Sequence, residues 1–242
     1  MKLFLASTQD RQFCVEKVKS FDYLLESFYY FKAWQIPLIK QCKMFLLDSG
    51  AFTYMNSNKN KKVDWNAYLT QYINFINKYD IKYFFELDID SVVGLKQVEK
   101  FRERLEKETG KKSIPVWHFN RGKEYFIKMC RDYDFVAFGG IITDGIKTKD
   151  ILKYLPWFVK TAHKHDCKIH ALGLTCKGIE KYGVDSADST SWKSGGLYGH
   201  LYKFNGKEME QIGFNNKKIS DYKKADIHNF NEWVKYQKYL DR

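Results

Sequence analysis

Short apolar runs alternate along this chain with longer stretches in which apolar positions recur every three or four residues. The runs Leu3–Ala6, Met44–Asp48, Lys82–Asp88, Ile114–His118, Phe135–Gly140, Lys168–Gly173 and Val184–Ser189 read as strands, since short continuous apolar runs fit strands covered on both faces. The clearest helical stretch is Asp64–Tyr79, with Trp65, Tyr68, Leu69, Tyr72, Ile73, Ile76 and Tyr79 on one face and Asp64 placed to cap it. Leu95–Thr109 puts Leu95, Val98, Phe101 and Leu105 on one stripe and stops at Gly110. Segments 21–34, 123–131, 150–165 and 176–182 also read as helices, and Pro156 is expected to start or kink the one that contains it.

Strands separated by helices imply right-handed βαβ units and a parallel sheet. Seven such strands in one domain spanning 1–242 favour an α/β fold of the closed (β/α)8 TIM-type over an open sheet. The eighth strand has no clear place. Gly199–Phe204, the pair Asn205-Gly206 and Lys207–Gly213 suggest a β-hairpin with a type I′ turn, inserted after the seventh strand, and Asp226–Leu240 reads as an amphipathic C-terminal helix.

Composition narrows the class. Apolar residues make up 44% of the 242 and aromatics 17%, enough for a sizeable core, while three prolines and no Gly/Ser tract argue against disorder. A net charge of +12 favours a polyanionic partner, with a lysine-rich solvated surface as the plainer reading. No apolar stretch is long enough to span a membrane, and the N-terminal apolar run is too short for a signal peptide. The five cysteines form neither C-x-x-C nor C-x-C, which argues against a disulfide framework or a zinc knuckle and suits a reducing cytoplasm.

Three of the apolar runs carry an aspartate at or near their ends: Asp48, Asp88 and Asp188. Residues at the C-terminal strand ends of a parallel barrel face one shared mouth. The fold therefore turns scattered acids into a cluster, in which one carboxyl can hold a proton while another stays anionic. A helix cap or loop turn is the plainer reading for any one of them. Small residues crowd the same places: Ser49-Gly50-Ala51-Phe52, Gly139-Gly140 and Leu172-Gly173, where glycine lets a flat ligand approach the backbone. None matches a dinucleotide or P-loop pattern.

His118 also falls at a strand end, as a ligand contact or a satisfied structural histidine. His163, His165 and His170 lack the carboxylate spacing of a metal site, and no metal is expected. Lys59, Lys61 and Lys62, with Arg121 and Lys123, follow strands on the mouth side and are candidates for holding phosphates. Trp192, with Lys193 beside it, and Tyr198 flank the Gly195-Gly196 loop; either ring can stack on a base or simply pack.

In this order, the strand-end motifs resemble the tRNA-guanine transglycosylase superfamily and its DNA-acting DpdA-like relatives. Asp48-Ser49-Gly50-Ala51-Phe52 is similar to the family's D-S-G-G-F-Q, Leu87-Asp88 resembles its base-recognising Asp, and Gly139-Gly140 resembles its G-G-L-A turn. Leu172-Gly173 is similar to its M-G-V-G segment, and Val184-Asp185-Ser186-Ala187-Asp188 to the strand that carries its nucleophilic Asp. The resemblance covers about residues 44 to 214 and includes the Asn205-Gly206 hairpin. It implies a pentosyltransferase that removes guanine from nucleic acid and installs a 7-deazaguanine base such as preQ0, without a cofactor. Asp188 would be the nucleophile and Asp48 the general acid/base. Asp88, His118, Ser49, Phe52, Gly139, Gly140, Leu172 and Gly173 would surround the base.

The departures point toward DNA. The family's C-x-C-x-x-C…H zinc site is absent, Ser189-Thr190-Ser191-Trp192 stands where P-T-R is expected, and His118-Phe119-Asn120 replaces a Gln-bearing turn. A short, zinc-free barrel looks more like the phage-type DNA branch, working in the host cytoplasm. tRNA remains the alternative substrate, and a catalytically silent nucleic-acid-binding barrel or an unrelated sugar-phosphate hydrolase or lyase are alternative readings.

Overall fold

The computed structural model describes residues 1–18, 20–57, 63–139, 148–212 and 221–242. Eight parallel strands, β1 (Lys2–Ala6), β2 (Tyr23–Ser27), β3 (Met44–Asp48), β4 (Tyr83–Phe84), β5 (Val116–Trp117), β6 (Phe135–Phe138), β7 (Lys168–Ala171) and β8 (Ser186–Ser189), pair in the order β4-β3-β2-β1-β8-β7-β6-β5. A parallel bridge between Phe85 and Ile114 joins the two ends of that order. Ile114 N donates to Phe84 O at 2.8 Å and Glu86 N to Ile114 O at 3.1 Å, so the ring closes as a TIM-type α/β barrel.

The helices are α1 (Gln12–Lys17), α2 (Leu38–Gln41), α3 (Ala51–Ser57), α4 (Trp65–Lys78), α5 (Asp90–Val93), α6 (Leu95–Thr109), α7 (Gly122–Asp132), α8 (Thr148–Lys164), α9 (Ser194–Tyr198) and α10 (Tyr222–Leu240). The Asp64 carboxylate caps α4 by accepting from Ala67 N at 3.0 Å, and Gly110 ends α6 in the left-handed region at φ 67°. Helix α8 runs through Pro156 rather than starting there, and 176–182 forms only a 3₁₀ turn, Ile179–Tyr182. Among the described residues no helix is long and apolar enough to cross a membrane.

The missing strand is β2, inside the segment read as helix 21–34. Phe21, Leu24, Leu25 and Phe28 stand at helical spacing, which explains the misreading. As a barrel strand, however, β2 is buried on both faces: Tyr23 and Leu25 point into the barrel and Leu24 toward the helices. The hairpin is not a barrel strand. It is a separate antiparallel pair, β9 (Tyr202–Phe204) and β10 (Met209–Gln211), docked on α10 through Tyr202 N to Asn229 Oδ1 and Phe204 N to Glu232 Oε2, both 2.9 Å. Asn205 pairs with Glu208, so the corner falls on Gly206-Lys207, one residue later than the sequence suggests; the Asn205 side chain takes the amides of Lys207 and Glu208.

Two outer clusters lie between sheet and helices, one around α4, α6 and α10 and one around α7 and α8. The barrel interior holds Phe4, Ala6, Tyr23, Leu25, Leu46, Phe85, Ile114, Val116 and Ala137. Strand side chains alternate faces. The residue two beyond Leu46 is therefore Asp48, beyond Val116 His118 and beyond Ala137 Gly139, while Asp188 lies in register with Phe4. This is the top layer of the barrel, and it positions the site.

Candidate active site

Asp48 and Asp188 end β3 and β8, and Asp88 follows β4 just past the barrel bridge. All three carboxyls meet at one mouth. Burial pushes the Asp48 carboxyl up to about 7, the nearby charge of Asp88 and then of Asp188 adds to the rise, and a hydrogen bond from Gly50 N at 3.2 Å opposes it. Gly50 is at φ 66°, and a Cβ there would meet Ser27 Oγ at 2.5 Å, which keeps the loop after β3 tight against β2.

Asp88 contacts His118 Nε2 through Oδ1. Burial pulls the imidazole toward the neutral form, but the hydrogen bond and charge of Asp88, with the charge of Asp90, outweigh it and raise its pKa. Gly139 lies under this ring. Its N–H donates to Trp117 O at 2.8 Å, and a Cβ would stand 2.5 Å from Val116 Cγ1 and 3.5 Å from His118 Cε1.

Behind the pair runs a buried ion network that sequence reasoning missed. Glu86, fully buried, accepts from Arg102 Nη1 and Arg121 Nη1, both at 2.9 Å, and from Val116 N at 2.8 Å. Arg121 Nε also reaches Asp90 Oδ2 at 3.0 Å. Ligand atoms of Asp88, Asp90 and His118 lie within 4.8 Å of one another, a spacing that can hold a cation. Two contacts already occupy that cluster, the Arg121 guanidinium on Asp90 and the His118–Asp88 pair, so a cation would have to displace them.

Asp188 sits in a different environment. It is 7% exposed, and its Oδ1 accepts from Gly173 N at 2.6 Å and lies 3.2 Å from His170 Nε2. Gly173 is at φ 68°, the left-handed conformation that turns its N–H toward the carboxylate. Thr175 Oγ1 donates to the Asp188 backbone carbonyl. His170, no metal ligand by its sequence spacing, lies fully buried inside the barrel beside Asp188. The signal was strand alternation: His170 precedes Leu172 by two, and Ser186 precedes Asp188 by two, so each pair shares a face.

The remaining expected site residues divide. Ser49 is buried, and its carbonyl accepts from Tyr68 OH at 2.6 Å. Leu172, half-buried, packs on the interior cluster. Phe52 lies in α3. Gly140, Lys59, Lys61 and Lys62 fall outside the described residues. Two expected nucleic-acid contacts are corrected. The Arg121 side chain is 1% exposed and committed to Glu86 and Asp90. Trp192 is wholly buried, donating to Ala6 O at 3.0 Å and packing on Phe230 with ring centres 4.8 Å apart. Neither offers a group to a phosphate or a base. Lys193 is held by Asp10 at 2.9 Å, whereas Lys123 lies exposed over the Trp157 ring and Tyr198 is 61% exposed.

No family model matches the chain, and no curated protein matches it. Among solved structures it is similar to one described as "QR15, an Aldolase", at 11% identity over 78% of this chain and 89% of that one, with a TM-score of 0.48. It is also similar to the carboxyl transferase domain of Rhizobium etli pyruvate carboxylase with 3-bromopyruvate, at 10% identity and a TM-score of 0.50. That match takes in 99% of this chain but 48% of the other, so the chain spans about half its length. Likeness at this level concerns the barrel fold alone.

Proposed function

We propose that this barrel is an enzyme, a transglycosylase that exchanges guanine in DNA for a 7-deazaguanine base. The observation that carries the reading is the meeting of three strand-end carboxyls at one mouth, with Asp48 held near neutrality by burial and by the charges of Asp88 and Asp188. A proton carrier matched to neutral pH beside a hydrogen-bonded carboxylate suits a double displacement at a sugar carbon.

In the first half-reaction an Asp188 oxygen attacks C1′, the C1′–N9 bond breaks, and its electron pair leaves with the purine. Protonated Asp48 supplies the proton that makes the leaving base neutral guanine. In the second half, the Asp48 carboxylate takes the N9 proton of the incoming 7-deazaguanine. That nitrogen attacks C1′ and the bond to Asp188 breaks. Each half restores what the other consumed, and no ATP or redox partner is required. The Asp88 carboxylate accepts from the N1–H and 2-amino edge that both bases share, with His118 alongside. In duplex DNA the nucleotide must be flipped out, at a cost of about a few kcal/mol.

The test incubates the protein with DNA carrying labelled guanine and excess preQ0. Label release by the wild type that disappears in Asp188→Ala is expected. Release that persists in the variant refutes the nucleophile assignment, and a parallel arm with bulk tRNA decides between the two polynucleotides.

A further inference from the structure

The interior of the barrel holds a polar pair, His170 and Ser186, that the proposed reaction has not used. His170 and Ser186 are paired across β7 and β8, and Asp188 lies two residues beyond Ser186 on the same face. His170 Nδ1 lies 2.8 Å from Ser186 Oγ and Nε2 lies 3.2 Å from Asp188 Oδ1. The three residue types are those of a serine hydrolase triad, but the positions are inverted. Ser186 is 2% exposed and His170 fully buried, with Phe4, Phe85 and Phe135 rings centred 5.8, 5.5 and 6.4 Å from the imidazole. No substrate reaches that serine. The acid, not the hydroxyl, faces the mouth.

We propose that His170 is a positioning residue for Asp188: it donates its Nε2 proton to Oδ1, and Ser186 fixes it in that tautomer. The inference rests on the reading of Asp188 as nucleophile. A neutral imidazole has one donor and one acceptor. With Asp188 ionised, an unprotonated Nε2 would set a lone pair against a carboxylate oxygen; the proton therefore sits on Nε2 and Nδ1 accepts from the Ser186 hydroxyl. Oδ1 then receives two neutral donors, Gly173 N–H and His170 Nε2–H. These fix the carboxylate plane and leave Oδ2 as the attacking oxygen. The support combines a backbone amide from the loop after β7 with a buried ring, both aimed at the same carboxylate oxygen.

Two measurements test this. In protein labelled with ¹⁵N-histidine, the His170 signals, assigned by their loss in His170→Gln, are expected to show a protonated Nε2 and an unprotonated Nδ1. In Asp188→Ala the Nε2 signal should shift. A wild-type proton on Nδ1, or no response to Asp188→Ala, overturns the proposal. In base exchange, His170→Phe is expected to lower kcat about 10- to 100-fold with KM nearly unchanged, the span of one hydrogen bond to a charged group. His170→Gln, whose amide nitrogen reaches the same place, should recover to within about fivefold of wild type. Equal losses in Phe and Gln variants that keep wild-type Tm would assign His170 to packing and overturn the proposal. A wild type that exchanges no base removes the transglycosylase reading, while the tautomer still decides the His170–Asp188 coupling.

Discussion

The two halves of the mouth use the same residue type in opposite ways. On the β3–β5 side, Asp48, Asp88 and Asp90 crowd together with His118 and a buried arginine, and charges answer charges. On the β7–β8 side, Asp188 is held by a backbone amide, with the His170 ring nitrogen at 3.2 Å and a buried serine behind that ring. Burial first, and then the charges of Asp88 and Asp188, push the Asp48 carboxyl up to about 7. On the proposed reaction, the environment, not the side chain, would divide the labour between proton carrier and nucleophile.

The comparison breaks most severely at Asp188. Replacement by Ala should abolish guanine release, by about 10⁴-fold or more in single-turnover assays, while circular dichroism stays unchanged. Asp48→Asn should cost about 10²–10⁴-fold. Proton delivery to the leaving base needs the protonated carboxyl, which is present below about pH 7 and lost above it. Wild-type release should therefore fall as pH rises beyond about 7, and the variant should lack that limb.

Arg121→Ala leaves Glu86 and Asp90 short of a partner inside the protein, and chemical denaturation should show a loss of about 3–5 kcal/mol. By contrast, Lys123→Ala should leave stability within about 0.5 kcal/mol and reduce the salt dependence of DNA binding by about one phosphate contact. Asp48→Asn should also stabilise the fold. Between about pH 4 and pH 7 the folded protein keeps a proton that the unfolded chain has lost, so wild-type stability falls as pH rises through that window. Above pH 7 the variant should gain roughly 1–2 kcal/mol, allowing for solvent screening of a half-buried group, and the gain should vanish near pH 4. Asp88→Asn sharpens the contrast most gently. Removing the charge beside Asp48 should move the alkaline limb of the rate profile to lower pH.

Seven of the eight barrel strands and the acids at their ends were legible, because strands covered on both faces are continuous apolar runs that stop where the mouth begins. The eighth was not. Phe21, Leu24, Leu25 and Phe28 keep a helix's spacing, and only pairing with β1 and β3 selects the extended form. Trp192 and Arg121 misled for a related reason. An aromatic or basic residue in a mouth-side loop suggests a ligand contact, but one loop folds back under α10 and the other carries its guanidinium to Glu86. Glu86 gave no warning, since a lone acid in an apolar run reads as an interruption until its two arginines arrive from α6 and the β5 loop.

Local pattern alone determined the alternation of strands and helices, the Asp64 cap and Gly110 stop, and the placing of Asp48, Asp88 and Asp188 near strand ends. These rest on period, propensity and neighbouring residues, which a linear chain displays. Ring closure between Phe85 and Ile114, the charge that Asp88 presses on Asp48, and the His170 contact behind Asp188 were decided in three dimensions. Each joins groups from different strands, and the energy of such contacts depends on distances that exist only after the barrel has closed.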